Sequence, residues 1–126
     1  ALLYHYYEDK YQLLVAIAEG HIDSLTALVD EIDAEPLSAD DRLRRLIARF
    51  VREYADAGAH HQVLVQDIKY LDAADERRIR DKERHVVKSF ARAIANAHPT
   101  LAERRLDKPL TMLLFGMMNW MVPRGR

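Results

Sequence analysis

Tyr11 to Ile32, YQLLVAIAEGHIDSLTALVDEI, sets the fold class. Tyr11, Leu14, Ala18, Ile22, Leu25, Val29 and Ile32 recur at steps of three and four, so a helix would place them on one face. Leu13, Ile17 and Leu28 widen the stripe. The spacing predicts a first long helix from Glu8 to about Asp33, with Asp9 as its N-cap. Glu35-Pro36-Leu37 ends it, because a residue before proline is driven out of the α region. Outward from this stretch the chain stays helical. Ser38 is placed to cap a second helix with Asp41 at N3, an apolar face of Leu43, Leu46, Ile47, Phe50 and Tyr54, and Gly58 just past its end. A short third helix is expected from His60 to about Tyr70, carrying Val63, Leu64 and Ile68. Asp72 opens a fourth, reaching about Ala97 and ended by His98-Pro99. A last apolar helix starts near Asp107, with Pro109 tolerated in its first turn.

The 126 residues suffice for one domain, and with 49% hydrophobic and 31% charged residues the composition is that of a globular protein. The chain has no cysteine, which excludes disulfides and thiolate metal sites and agrees with a cytoplasmic location. No uninterrupted apolar run reaches the roughly 18 residues of a membrane span, so no membrane partner is expected. A net charge of −1 gives no overall basic surface, and any nucleic-acid contact must be local.

The opening segment, Ala1-Leu-Leu-Tyr-His-Tyr-Tyr-Glu-Asp-Lys-Tyr-Gln-Leu-Leu14, resembles the signature of the tetracycline-repressor (TetR) family of transcriptional regulators. There a recognition helix ends in a small residue, a variable residue, an apolar residue, Tyr, a polar residue, an aromatic pair, a two-residue turn, Lys and a Leu pair. Those places fall here on Ala1, Leu2, Leu3, Tyr4, His5, Tyr6-Tyr7, Glu8-Asp9, Lys10 and Leu13-Leu14. Tyr7 stands where Phe is commoner, and Tyr11 where Glu is common. The resemblance implies an all-α regulatory domain, an antiparallel helical bundle that dimerises through its C-terminal helices. It divides the chain into residues 1–7, the end of a helix-turn-helix, and residues 8–126, an effector-binding and dimerisation domain. The earlier helices of the helix-turn-helix and a final helix after Trp120 are not in the sequence, so the chain as written is not expected to bind DNA specifically. Its last residues, Val122-Pro-Arg-Gly-Arg126, also resemble a protease-cleavable tag, and nothing is built on them.

The implied function is a repressor released from a palindromic double-stranded DNA operator by a small hydrophobic effector. Tyr4 and His5 are the candidates for base and phosphate contacts, and Lys10 for neutralising a phosphate. The pocket is expected among the second, third, fourth and last helices. Its candidate walls are Phe50, Tyr54, Leu64, Phe90, Met112 and Phe115, with Tyr54, His61 and Asn119 as polar anchors. Leu113, Met117 and Trp120 are the candidate homodimer contacts, because a helix apolar all round must be covered on every side. The stretches Leu64–Asp72 and Phe115–Trp120 are similar to members that respond to acyl-CoA thioesters. In that case Arg77, Arg78, Arg80 and Arg84 could receive nucleotide phosphates. Otherwise the mixed charges of the fourth helix form a solvated face held by i,i+4 pairs.

Catalysis has little support, and no cofactor or metal is expected. His60 and His61 are adjacent and diverge by about 100° on a helix. His21, His85 and His98 lack partners at metal-ligand spacing. The alternative to a regulator is a helical protein-interaction module without DNA binding.

Overall fold

The computed structural model describes the backbone from Leu2 to Met121 and the side chains of residues 8–121. Its described residues form six α-helices and one 3-10 turn: α1 (Leu2–Ala34), α2 (Ala39–Ala57), α3 (Ala59–Asp67) running into the 3-10 turn Ile68–Tyr70, α4 (Ala73–Ala97), α5 (Pro99–Glu103) and α6 (Asp107–Met121). No strand occurs among them. The expected all-α bundle is what is found.

Local chemistry explains most boundaries. Ser38 Oγ accepts the Asp41 N–H at 3.2 Å, which satisfies one free donor of α2's first turn. Gly58 takes φ 46°, where a side chain would be strained, and its N–H donates to the Tyr54 carbonyl. Two boundaries differ from expectation. The break at Glu8-Asp9 is absent, and α1 runs unbroken from Leu2, so Asp9 caps nothing. No glycine or proline lies between Leu2 and Lys10, and the helical hydrogen bonds propagate through. Asp72 stands at the N-cap of α4, but its side chain does not cap. The tie comes from Tyr11 instead, whose hydroxyl accepts the Asp72 N–H at 2.7 Å and donates to Asp75 at 2.9 Å. The short α5 was not foreseen. It ends where Arg105, at φ 57°, lets the Leu106 N–H return to the Leu101 carbonyl at 2.8 Å.

Helix α4 packs on α1, α2, α5 and α6. At the centre the rings of Phe50 and Phe90 meet edge to face at 4.7 Å, and Phe115 closes the triad 4.8 Å from Phe90. The α1 stripe of Ala18, Ile22, Leu25, Val29 and Ile32 is buried beside them. Residues Glu8–Ala34 are long and apolar enough by length and composition to cross a membrane, but in this fold their apolar stripe belongs to the core.

The charged half of α4 is only partly the solvated face expected. Glu76–Arg80 is an i,i+4 pair, and Asp75–Arg78 and Asp81–Arg84 are i,i+3 pairs. The rest reaches across to α1. Arg78 grips Glu19 with two N–H groups at 2.7 and 2.9 Å, and Lys82 bridges Glu19 and Asp23 at 2.8 and 2.7 Å. His85 meets Asp30, and the Ser89 hydroxyl donates to Asp33. The two cations hold the Glu19 carboxyl down at about 2. Ile79 is the one residue of this half that is fully buried.

Phe50→Ala is expected to cost about 3–5 kcal/mol through the cavity it opens in the triad. Ser38→Ala should cost about 1 kcal/mol. Urea unfolding followed by circular dichroism measures both, and a Phe50 variant no less stable than the Ser38 variant would contradict this core.

Candidate functional site

Three elements bring polar groups to one buried point. His21 on α1 and His61 on α3 are 5% and 3% exposed, and His21 Nε2 lies 2.9 Å from His61 Nδ1. The other ring nitrogen of His61 is 2.8 Å from Asn119 Oδ1 on α6. The ring of Tyr54, on α2, lies over the His61 imidazole with centroids 3.8 Å apart. The chain Asn119–His61–His21 needs one proton per contact. His61 therefore donates through Nε2 and accepts at Nδ1, and both rings are neutral. Burial, then the charges that His61 and His60 would carry, push the His21 imidazole down to about 4. Burial also lowers His61, against the Asn119 hydrogen bond. Burial raises the Tyr54 hydroxyl, and the charge of Glu83 adds to this.

Beside this cluster lies a cavity of about 240 Å³. Ile22 and Leu25 of α1, Leu64 and Val65 of α3, Val86 and Val87 of α4, and Met112 and Phe115 of α6 give it an apolar wall. Tyr54, His61, Asn119, Arg80 and Glu83 add polar groups. Met112 and Val65 are exposed and stand at its mouth. A cavity of roughly 150 Å³ accommodates benzene, so this one suits a body of about two rings or a short chain.

Six of the eight sequence candidates line this space: Tyr54, His61, Leu64, Met112, Phe115 and Asn119. Phe50 and Phe90 do not. Both are fully buried in the aromatic triad, which backs the wall without reaching the cavity. The reason is their position on faces of α2 and α4 that meet each other. None of the candidate wall residues lies on α1, yet its Ile22 and Leu25 line the cavity. Arg80 and Glu83 belong to the run of mixed charge that reads as a solvated face or, for Arg80, as a phosphate contact, and neither is expected on the cavity wall. Their spacing to Val87, at i, i+3 and i+7, was the available signal that they share the face of α4's amphipathic half. His21 was weighed only as a metal ligand. Among the described residues no three His, Asp or Glu groups converge on a point that could hold an ion.

The proposed dimer residues lie together on the outer side of α6. Leu113, Met117 and Trp120 are 61, 56 and 76% exposed, with Met112 and Met121 beside them. Lys10 is exposed on α1. The side chains of Tyr4 and His5 lie outside the described residues.

Fold and site together define a helical domain with a largely apolar cavity open at one side and one uncovered apolar helix face. The family model described as tetracyclin repressor-like, C-terminal domain, matches residues 36–123. The chain belongs to this TetR-like family, the family that the opening motif resembles from outside the matched range. No curated protein and no solved structure gives a significant match.

Unfolded histidine titrates near 6.5, so between that value and about 4 the unfolded chain binds more protons than the folded one. Stability is full above about pH 6.5 and falls as the pH drops through about 4. His21→Gln, which keeps a donor for His61 and does not titrate, should flatten the thermal midpoint across this window. Identical slopes for the two proteins would remove His21 as the titrating group.

Proposed function

We propose that this chain is the effector-binding and dimerising part of a ligand-responsive transcriptional repressor. The observation that carries the reading is the apolar cavity with its buried polar cluster, lying in a domain of the TetR-like family. A small hydrophobic effector enters among α1, α2, α3, α4 and α6. A second copy of the chain covers Leu113, Met117 and Trp120. Residues 1–7 close a helix-turn-helix, with Tyr4, His5 and Lys10 facing a palindromic operator, and residues 8–126 form the sensing domain. The effector binds the subunit spacing that does not fit DNA better than the spacing of about 34–36 Å that does, and so shifts the population away from the operator.

Helix α1 supports this reading because it is continuous from the segment assigned to DNA to the cavity wall at Ile22 and Leu25. The acyl-CoA variant of the reading has weaker support. Arg78, Arg80 and Arg84 are each paired with carboxylates, which leaves little positive charge for nucleotide phosphates. Arg77 alone of the four pairs with no carboxylate among the described residues.

An effector at a hundred times its dissociation constant should stabilise the fold by about 2.7 kcal/mol, a shift of several degrees. Met112→Trp, which fills the mouth from an exposed position, should abolish that shift without lowering the unliganded midpoint. Acyl-CoA thioesters that raise the midpoint, where uncharged aromatics do not, would reverse the preference between effector classes.

Replacing Leu113 and Met117 together with Glu should leave the helical signal intact and yield a monomer by light scattering. A folded double variant that remains dimeric would take the interface away from α6.

A further inference from the structure

The polar groups on the cavity wall differ in whether the protein already satisfies them. Both ring nitrogens of His61 are engaged, by His21 and by Asn119. The Asn119 oxygen is engaged by His61. Arg80 donates through Nε to Glu76 at 2.8 Å and reaches Glu83 only at 3.8 Å. Among the acceptors two are left. The Tyr54 hydroxyl, on a side chain 5% exposed, makes no hydrogen bond with any described residue. The Glu83 carboxylate accepts none either. Burial raises the Glu83 carboxyl, with Arg80 and Arg84 opposing it from a distance. Tyr54 and Glu83 line the same cavity, the first with a hydroxyl that no described residue meets and the second, 31% exposed, with only the ion pair to Arg80 at 3.8 Å, so the oxygens of both are open to a ligand.

Ligand chemistry can be sorted against this pair. A ligand carboxylate would meet the like charge of Glu83 and would have to share Arg80 with Glu76 and Glu83. An uncharged ligand would leave the Glu83 charge unanswered. A protonated amine supplies up to three N–H donors, matches the charge of Glu83 and can donate to the Tyr54 oxygen. The apolar remainder of the wall requires that the charge sit on a hydrophobic body.

We infer that the cavity selects a small hydrophobic cation, a primary ammonium on an aromatic or alicyclic body of about two rings, held by Glu83 and the Tyr54 hydroxyl. This rests on the reading of the cavity as the effector site. It makes the effector a lipophilic base and places free acids among the ligands the site rejects.

Three probes of one shape separate the possibilities: naphthylmethylamine, naphthylmethanol and naphthoic acid, titrated calorimetrically into the full chain at neutral pH. A charge-assisted hydrogen bond is the difference between the first two, so the amine should bind about ten- to a hundred-fold more tightly than the alcohol. The acid should bind most weakly. Glu83→Gln should bring the amine to the level of the alcohol and leave the alcohol unchanged, and Glu83→Asp, which keeps the charge, should retain part of the preference. An amine no tighter than the alcohol, or an acid tightest of the three, overturns the cation assignment while leaving the cavity as an effector site. Binding of none of the three overturns both.

Discussion

Both ring nitrogens of His61 are engaged inside the protein, one with α1 and one with α6, while its face lies against Tyr54 of α2. A buried imidazole is tolerated only when its N–H and its lone pair are both answered. Those answers fix the relative positions of four helices, counting α3 that carries it. The contact with His21 adds a second condition. Protonating His61 would set its Nδ1–H against the Nε2–H of His21, and protonating either ring brings a charge into a site largely removed from water. The cluster is therefore favoured while both rings stay neutral. Since His61 also lines the cavity, a molecule bound there touches the side chain on which the helix arrangement depends.

Helix α4 supplies the other constraint on α1. Isolated surface ion pairs add little, about a kcal/mol at most, and the energy of the fold resides in the phenylalanine triad and the α1 stripe. The rungs from Arg78 and Lys82 to Glu19 and Asp23, and from His85 to Asp30, do something different. They fix the register of two long helices whose apolar faces alone would tolerate sliding. Held along one side by these rungs and at one point by His21, α1 can respond to the cavity by tilting more readily than by bending. From Ile22 to Tyr4 is about 27 Å of helix at 1.5 Å per residue. A tilt of about 5° at the cavity would then move the far end by about 2 Å, a displacement that matters in the proposed repressor because its reading heads must keep a fixed spacing.

What the sequence disclosed follows from the range of each interaction. The bundle was legible because its apolar spacing is local, and Ser38 and Gly58 could be placed because caps depend on three or four neighbouring residues. Asp72 was placed rightly at the start of α4, but the bond of its N–H to Tyr11, 61 residues away in the chain, could not be read. Tyr54, His61 and Asn119 could be chosen as polar residues within apolar segments, but their meeting could not be read, since it depends on how three helices cross. Phe50 and Phe90 were misassigned for the same reason. An aromatic on an inward face can close the core or line a cavity, and only the facing helix decides which. Arg80 and Glu83 were hidden by their neighbours, because a run of alternating charge reads as solvent even where one flank of the helix turns toward a cavity.

Helix α6 joins the two proposed binding events. Thr111, Phe115 and Met118 are buried on its inner side, Asn119 holds His61 on its flank, and Leu113, Met117 and Trp120 stand exposed on its outer side. A single helix of 15 residues, about 22 Å long, has no hinge of glycine or proline after Pro109 except Gly116. At Gly116 the described structure keeps helical geometry. Packed interiors shift between discrete arrangements and do not deform continuously. A displacement of the inner face by a ligand is therefore carried to the outer face, where a partner subunit would have to repack. Reciprocity follows from thermodynamics: whatever factor a ligand applies to association of two copies, association applies to the affinity for the ligand. In the proposed repressor the cavity and the apolar face would act as one device, because the side chains of both stand on the same turns of α6.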